Sequence, residues 1–424
     1  MCSAVKSNAW MLCPQCDLMI KLPDIPVGSR ASCPRCHTSL TANWHEPRKR
    51  PTGYALAALF MLLLANLFPF VSMKVAGLTS EITLAQIPQV MVTEDYSSLA
   101  TLFLLFVQAV PAFCMITIIV LVNPNPLPTH LKVVLARILF QLRNWGMAEI
   151  FMAGVLVSFV KLMAYGEIGL ETSFWPWVLF CLLQLRAFQC VDRRGLWDRL
   201  SPRPAMPHPP EVGITGLEQG LRSCPCCTAI LPEAEHTCPR CDVTAQARRK
   251  HSLQWTLALL FTSILLYIPA NLLPIMVTET LGTAYPSNIM AGVIVLWGDG
   301  SYPVALVIFI ASIMVPTLKM LAIGWLCWDA SGQGRGQNDS HRMHKIYEVV
   351  EFVGRWSMID VFVIAVLSAL VRMGQLMNVY PAWGAILFAM VVIITMIAAM
   401  TFDPRLTWDR VRENNMKESR LDGN

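Results

Sequence analysis

Long apolar runs separated by short polar segments organise this 424-residue chain. Read with a window of about 19 residues, eight runs approach the roughly 20 residues that a helix needs to cross a bilayer. They cover 53–72, 98–122, 146–164, 173–190, 255–275, 303–328, 357–373 and 382–402, the fourth and seventh being short. A ninth run, 288–297, is too short to span and predicts a re-entrant or interfacial piece. The pattern predicts an all-α polytopic membrane protein of eight transmembrane helices.

Charge then orients the spans. Arg48, Lys49 and Arg50 precede the first, Lys132, Arg137 and Arg143 lie between the second and third, and Arg248, Arg249 and Lys250 close the segment before the fifth. The alternate connections are acidic or nearly uncharged: Lys74 against Glu81, Glu94 and Asp95, then Glu167 and Glu171, then Glu279 and Asp299. Basic segments stay in the cytoplasm, which predicts cytoplasmic termini. No cleavable signal peptide is expected, because the first 50 residues are polar and carry cysteines. The composition agrees: 55% hydrophobic and 14% charged, against about 25% charged in soluble chains, with a mean hydropathy of +0.50. An ordinary soluble enzyme is excluded. The net charge of +5 reports topology and not a nucleic-acid partner, since the basic residues cluster beside apolar runs.

Internal repetition gives the domain plan. Cys33-Pro34-Arg35-Cys36 recurs as Cys238-Pro239-Arg240-Cys241, Ala65-Asn66-Leu67-Phe68-Pro69 as Ala270-Asn271-Leu272-Leu273-Pro274, and Val110-Pro111 as Val315-Pro316, all at an offset of 205. A second set is offset by 211: Trp145-x-Met147-x-Glu149 with Trp356-x-Met358-x-Asp360, Lys161 with Arg372, and Asp192-x-Arg194-x-x-Trp197-Asp198-Arg199 with Asp403-x-Arg405-x-x-Trp408-Asp409-Arg410. Two constant offsets indicate a duplication with one small insertion. The plan is a ribbon (1–50), four helices (51–200), a linker and second ribbon (201–250), four more helices (251–410) and a charged tail (411–424) expected to be disordered. Four is even, so the two units are predicted to be parallel repeats related by an axis along the membrane normal.

Eight of the 14 cysteines form four C-x-x-C knuckles: Cys13/Cys16 with Cys33/Cys36, and Cys224/Cys227 with Cys238/Cys241. Each knuckle puts two thiolates on a tight turn, so four sulfurs can converge tetrahedrally on one ion. Two structural zinc ions are the expectation, since a four-thiolate site leaves no open position for catalysis. Iron is the alternative, and Cys226 is a spare thiol, either a competing ligand or a spectator, with Cys224 and Cys227 favoured by analogy with the other knuckles. Cys2, Cys114, Cys181, Cys190 and Cys327 read as small hydrophobes.

Ionisable groups inside the spans cost about 2.5–3.5 kcal/mol each at the bilayer centre. Lys319 lies well inside the sixth run, and Asp360 and Glu149 stand about one turn inside the seventh and third. The expectation is a buried Lys319/Asp360/Glu149 network that drives transport, with a helix-locking ion pair as its plain rival. The position matching Lys319 in the first half is Cys114, so the network is one-sided. Lys161 and Arg372 are expected to snorkel to the outer interface. Pro69, Pro111, Pro274 and Pro316 are expected to interrupt spans one, two, five and six, with Asn66 and Asn271 placed to satisfy freed backbone groups or to act as polar glue. Broken helices at matching places in two repeats often border a cavity.

The C-P-x-C ribbons, the two A-N-L-x-P turns, the stretch Gly354-Arg355-Trp356-Ser357-Met358-Ile359-Asp360 and the D-x-R-x-x-W-D-R endings resemble the paraquat-inducible protein A family of bacterial inner-membrane proteins. The resemblance runs over essentially the whole chain. It implies an inner-membrane component of an intermembrane lipid transport system. Its implied partners are an MCE-domain protein forming a tunnel across the periplasm, an outer-membrane lipoprotein, and phospholipid as cargo. In a related member buried polar residues are thought to couple transport to the proton gradient; Lys319 and Asp360 match such positions, and Glu149 keeps the acid of the first half. An enzyme is not expected, as no G-x-x-x-x-G-K-[ST] loop is present. Two rival readings are a structural anchor for the MCE partner and, with iron in the ribbons, a redox protein. None of the 8 histidines falls in a predicted span, which counts against haem.

Overall fold

The computed structural model describes residues 9–75, 78–93, 96–162, 167–206, 209–280, 282–298, 300, 302–331, 340–371 and 377–410. Cys2, Arg372 and the tail 411–424 lie outside the described residues, as does the side chain of Lys161. The first ribbon is two hairpins, β1 (Ala9–Leu12) with β2 (Met19–Leu22) and β3 (Ser29–Ser32) with β4 (Ser39–Asn43). The first membrane half then runs α1 (Lys49–Leu67), β5 (Val71–Val75), β6 (Leu78–Ile82), α2 (Gln86–Thr93), α3 (Ser97–Phe103) and α4 (Val110–Val122). It continues through α5 (Thr129–Leu142), α6 (Ala148–Leu162), β7 (Glu167–Leu170), α7 (Phe174–Cys190) and α8 (Arg193–Leu200). The second ribbon holds β8 (Leu221–Ser223) and β9 (Ile230–Pro232). The second half repeats the order: α9 (Ser252–Leu272), β10 (Met276–Thr280), β11 (Thr283–Ser287), α10 (Ile289–Gly298), α11 (Tyr302–Phe309) and α12 (Val315–Ala330). It closes with α13 (Ser340–Trp356), α14 (Ile359–Leu370), β12 (Met377–Pro381) and α15 (Trp383–Thr401).

The protein is mostly helical, and six helices among the described residues are long and apolar enough to cross a membrane: Lys49–Leu67, Ser97–Val122, Ser252–Leu272, Ala305–Ala330, His341–Leu370 and Trp383–Thr401. A seventh candidate is the α7–α8 pair, bent by 62°. The bend sits at Asp192, whose side chain caps α8 by accepting from the Gly195 N–H at 2.7 Å. With 15 residues, α6 rises only about 22 Å. The short apolar run predicted as interfacial is α10.

The all-α expectation needs correction. Each half closes the end away from its ribbon with a three-stranded antiparallel sheet, in the order β6-β5-β7 and β11-β10-β12. Registers correspond: Val71 faces Ile82 and Leu170, and Met276 faces Ser287 and Pro381. The apolar runs overshoot into these strands, because a strand with one buried face continues the hydrophobic signal past the helix end. Pro69 and Pro274 therefore do not interrupt spans. They follow the ends of α1 and α9, where a residue lacking an N–H costs nothing. Pro111 and Pro316 do lie within continuous helices, in the first turns of α4 and α12, each preceded by a π-helical turn (Leu104–Ala109 and Ile310–Met314). The wider turn absorbs the missing donor. Pro269 lies inside α9.

The two halves pack alike: α1 lies along α7 and α4, and α9 along α15 and α12. The halves meet where α6 crosses α14, whose residues Asp360 to Leu370 are all buried. A Cβ placed on Gly154 of α6 would lie 3.3 Å from Phe362 Cβ and 3.4 Å from the Ile359 carbonyl oxygen, so glycine sets that approach. A still closer one joins α15 to the end of α9: the Gly384 N–H donates to the Pro274 carbonyl at 3.0 Å, and a Cβ there would come within 2.5 Å of that oxygen. Backbone cannot yield as a flexible side chain can. Gly384→Ala should destabilise the fold by about 1–3 kcal/mol and lower the midpoint of thermal unfolding. Gly53→Ala, with nothing within 4 Å, should not; equal midpoints for the two variants would dismiss the steric account.

Candidate functional site

Both ribbons bring four sulfurs together. Cys13 lies 3.4 Å from Cys36 and Cys16 lies 3.5 Å from Cys33; Cys224 is 3.4 Å from Cys241 and Cys227 is 3.5 Å from Cys238. All eight are buried and unoxidised, and each set of ligand atoms lies within 4.8 Å of one another. A tetrahedral ion with bonds of about 2.3 Å separates its sulfurs by about 3.8 Å, so each cluster could hold one. Crowding splits the titration: hydrogen bonding with Cys13 and Cys16 draws Cys33 down to about 7, while hydrogen bonding with Cys13, Cys33 and Cys36 drives Cys16 upward. A cation that takes all four as thiolates removes that conflict. Cys226 is not among the converging ligands; it is buried, and its carbonyl accepts from Arg193 Nε at 2.8 Å.

The ribbons dock crosswise. The first packs its cysteines, Ile20, Leu18 and Leu40 around Trp408, which ends the second half. Arg35 stacks 4.4 Å above that ring, and Thr38 Oγ1 lies 3.3 Å from His344 Nε2 of α13. Arg248 bridges Asp17 at 2.9 Å and Asp409 at 2.6 Å, and although burial works against its charge these two carboxylates raise its pKa. The second ribbon sits on the end of the first half, where Arg193 and Arg137 donate to its backbone carbonyls and Arg240 pairs with Asp198 at 2.8 Å. Burial opposes the Asp198 carboxylate, but Arg203 and Arg240 outweigh it and hold its pKa below the ordinary value. The ribbons also touch each other, with the Met19 N–H donating to the Ile214 carbonyl at 2.9 Å. Both therefore lie at one end of the bundle, the ribbon end, opposite the sheets.

Lys319 is 3% exposed within Ala305–Ala330. Its Nζ donates to Thr395 Oγ1 at 2.9 Å and to the Gly354 carbonyl at 3.4 Å. Among the described residues it has no ion pair, so its partners are not the Asp360 that the sequence suggested. Asp360 is buried in the first turn of α14, where a carboxylate also meets the positive end of the helix dipole. Glu149 does not join a buried network: it is exposed on the first turn of α6, within electrostatic range of Arg355. Thr395 and Gly354 were missed. One of two threonine hydroxyls in the apolar run 382–402 is a weak signal, although Gly354 opens the Gly-Arg-Trp-Ser-Met-Ile-Asp stretch.

The remaining sequence candidates are placed by backbone bonds. Asn66 Nδ2 donates to the Leu62 carbonyl at 2.8 Å and its Oδ1 accepts from Gln108; Asn271 Nδ2 donates to the Tyr267 carbonyl at 2.8 Å. Each thus caps the helix end that its proline follows. An apolar cleft of about 330 Å³ lies elsewhere, between α10 and α11, lined by Met290, Val293, Ile294, Trp297, Leu306 and Phe309 among others. None of the six asparagine and proline candidates lines it. In the first half the matching α2 and α3 pack on α14, whereas α10 and α11 pack mainly on each other.

The family described as paraquat-inducible protein A matches the chain twice, over residues 49–201 and 253–412. The chain is 68% identical to the intermembrane transport protein PqiA of Escherichia coli K12, over 99% of this chain and 100% of that one, and equally to PqiA of Shigella flexneri. It is 29% identical to the lipophilic envelope-spanning tunnel protein A of Escherichia coli K12, over 96% of this chain and 92% of that one. No solved structure matches it.

Proposed function

The chain belongs to the paraquat-inducible protein A family, and from that premise we propose that it is the inner-membrane subunit of an intermembrane phospholipid transport system. It passes lipid to or from an MCE-domain protein tunnel across the periplasm, with an outer-membrane lipoprotein at the far end. Its relatives are named as transport proteins and not as enzymes. The name of the more distant relative, a lipophilic tunnel protein, supports lipid as the cargo.

In this reading there are eight crossings in two parallel repeats, and the ribbon end, with both termini and two zinc ions, is cytoplasmic. Parity supports that count. The ribbons lie side by side, which requires an even number of crossings between them; α1, α3–α4 and α7 make three, and α6 is the fourth. The two family matches and the basic residues at the ribbon end support the rest.

The observation that carries the mechanism is that one helix, Ala305–Ala330, bears both chemistries. Ala305, Leu306 and Phe309 line the apolar cleft, and Lys319 is the buried amine. Between them lie the π-helical turn and Pro316, where the helix can change its pitch at least cost. A change of charge in the Lys319/Asp360 region thereby moves the cleft wall, admitting or releasing an acyl chain. A photoreactive benzoylphenylalanine in place of Leu306 should form phospholipid adducts that survive detergent washing. The same group at Leu321, exposed on the same helix outside the cleft, should report only lipid that washes away. Equal loss at both positions would eliminate the cleft as a lipid site.

A further inference from the structure

The Gly154–Ile359 contact fixes the depth of α6 against α14, and both helices run from the ribbon end towards the sheets. Glu149, five residues before Gly154, and Arg355, four before Ile359, therefore reach similar levels, about 6–8 Å nearer the ribbons. Arg143 comes up beside them from the 3-10 turn Arg143–Trp145 that joins α5 to α6. It lies 5.6 Å from the Phe188 ring centre, walled by neighbours yet accessible. Trp145 and Trp356 flank the two arginines, as aromatic residues do at a membrane–water interface.

Charges at this mouth are unevenly matched. Arg143 is within electrostatic range of Arg193 and Arg355, and Arg355 within range of Glu149 and Glu351; Glu348, the further neighbour of Glu351, lies 3.3 Å from His344, which leaves three guanidiniums to two carboxylates at the mouth. Arg193 is engaged by the carbonyls of Pro225 and Cys226. The side chains of Arg143 and Arg355 make no hydrogen bond or ion pair among the described residues. Two guanidinium forks held near each other, open to the outside and not hydrogen-bonded to an acceptor among the described residues, fit a phosphate group bidentately.

We propose that Arg143 and Arg355 form a phosphate site at the ribbon-end mouth of the seam between the halves, which holds the headgroup phosphate of a phospholipid from that leaflet. The site rests on the reading of the chain as a phospholipid carrier and adds where a headgroup is gripped. It also abuts the buried amine: Arg355 follows Gly354, whose carbonyl holds Lys319. Seating a headgroup therefore bears on the backbone that positions the lysine.

The test uses the full-length protein in nanodiscs of neutral lipid, titrated with fluorescent phosphatidylglycerol, fluorescent diacylglycerol or inorganic phosphate. R143Q/R355Q should weaken phosphatidylglycerol binding at least tenfold and leave diacylglycerol binding unchanged. R143K/R355K, keeping charge without the fork, should fall between. K49Q/R186Q, removing exposed interfacial charges, should behave as the parent. Unchanged metal content and circular dichroism would certify the fold. Parent-like binding of phosphatidylglycerol by a folded R143Q/R355Q variant would overturn the site. Displacement of the lipid by inorganic phosphate at equal concentration would overturn the headgroup assignment in favour of free phosphate. Failure of the parent itself to bind any phospholipid, here and at the α10–α11 cleft, would instead bring down the carrier reading on which the site depends.

Discussion

Replacing Cys13 and Cys16 together by serine should halve the metal content and loosen the second membrane half more than the first. The four-sulfur cluster of the first ribbon is the floor under Trp408, and among the described residues Ile20, Leu18 and Leu40 complete that small core. Were the proposed zinc bound there, it would contribute an apparent 10–16 kcal/mol to folding at neutral pH, comparable with the whole stability of a typical domain, so its removal should unfold the ribbon. Its loss strips Trp408 of the Arg35 stack and frees Arg248 from Asp17. Hydrogen exchange should accelerate over 403–410 and the start of α13, where His344 meets Thr38. The matching change in the second ribbon, Cys224 and Cys227 to serine, should instead expose α8 around Trp197, since Arg193 and Asp198 bind that ribbon. Thr41 of the first ribbon accounts for one smaller effect the other way, because its hydroxyl donates to Asp192 at 3.0 Å. If each ribbon's loss loosened only the half that follows it in the chain, the crossed docking would be wrong.

That crossing shows where the chain is legible and where it is not. The knuckle spacing names the sulfur ligands because a C-x-x-C turn is local geometry. The duplicated Trp197 and Trp408 are visible as a repeat, yet nothing local says that each faces a ribbon. The apolar runs locate the membrane helices, but their ends are blurred. Val71 and Met73 are buried strand residues that hydropathy cannot tell from a helix. At the other extreme, the seventh run underestimates its span: the membrane-length stretch His341–Leu370, α13 and α14 joined through a turn at Ser357–Met358, starts well before it, because Met343, Tyr347 and Val350 form an apolar stripe among charges that a hydropathy window averages away. His341 and His344 thus stand on a membrane-length helix, at its ribbon end, which the run alone did not show. Lys319 was conspicuous as a charge in an apolar run. Its partners were not, because Thr395 is 76 residues away and meets it only through packing.

Lys319→Met should leave the fold intact and abolish transport. Methionine matches the length of the lysine stem and carries no charge, so the substitution removes a desolvation cost of about 2.5–3.5 kcal/mol without opening a cavity. The groups left behind are not stranded. Thr395 also donates to the Val392 carbonyl at 2.9 Å, which keeps its proton satisfied, and the Gly354 carbonyl loses only a contact of 3.4 Å. A lysine that served only as a helix lock would behave differently. Its loss would lower the unfolding midpoint and spare activity in the folded fraction. Asp360→Asn, which keeps shape and removes charge, separates the same alternatives from the other side. Gly354→Ala offers a graded version, since its Cβ would lie 3.3 Å from Lys319 Nζ and must displace it by a few tenths of an ångström. The measurement is partner-dependent lipid transfer from vesicles of the parent and the three variants, read beside their thermal midpoints. An unchanged midpoint with transfer lost in Lys319→Met and Asp360→Asn, and slowed in Gly354→Ala, is the expected pattern. Retained transfer in a folded Lys319→Met variant would remove the buried amine from the mechanism, because the other charged side chain on Ala305–Ala330, Asp329, stands at the ribbon end of that helix, beyond Lys319 from the cleft.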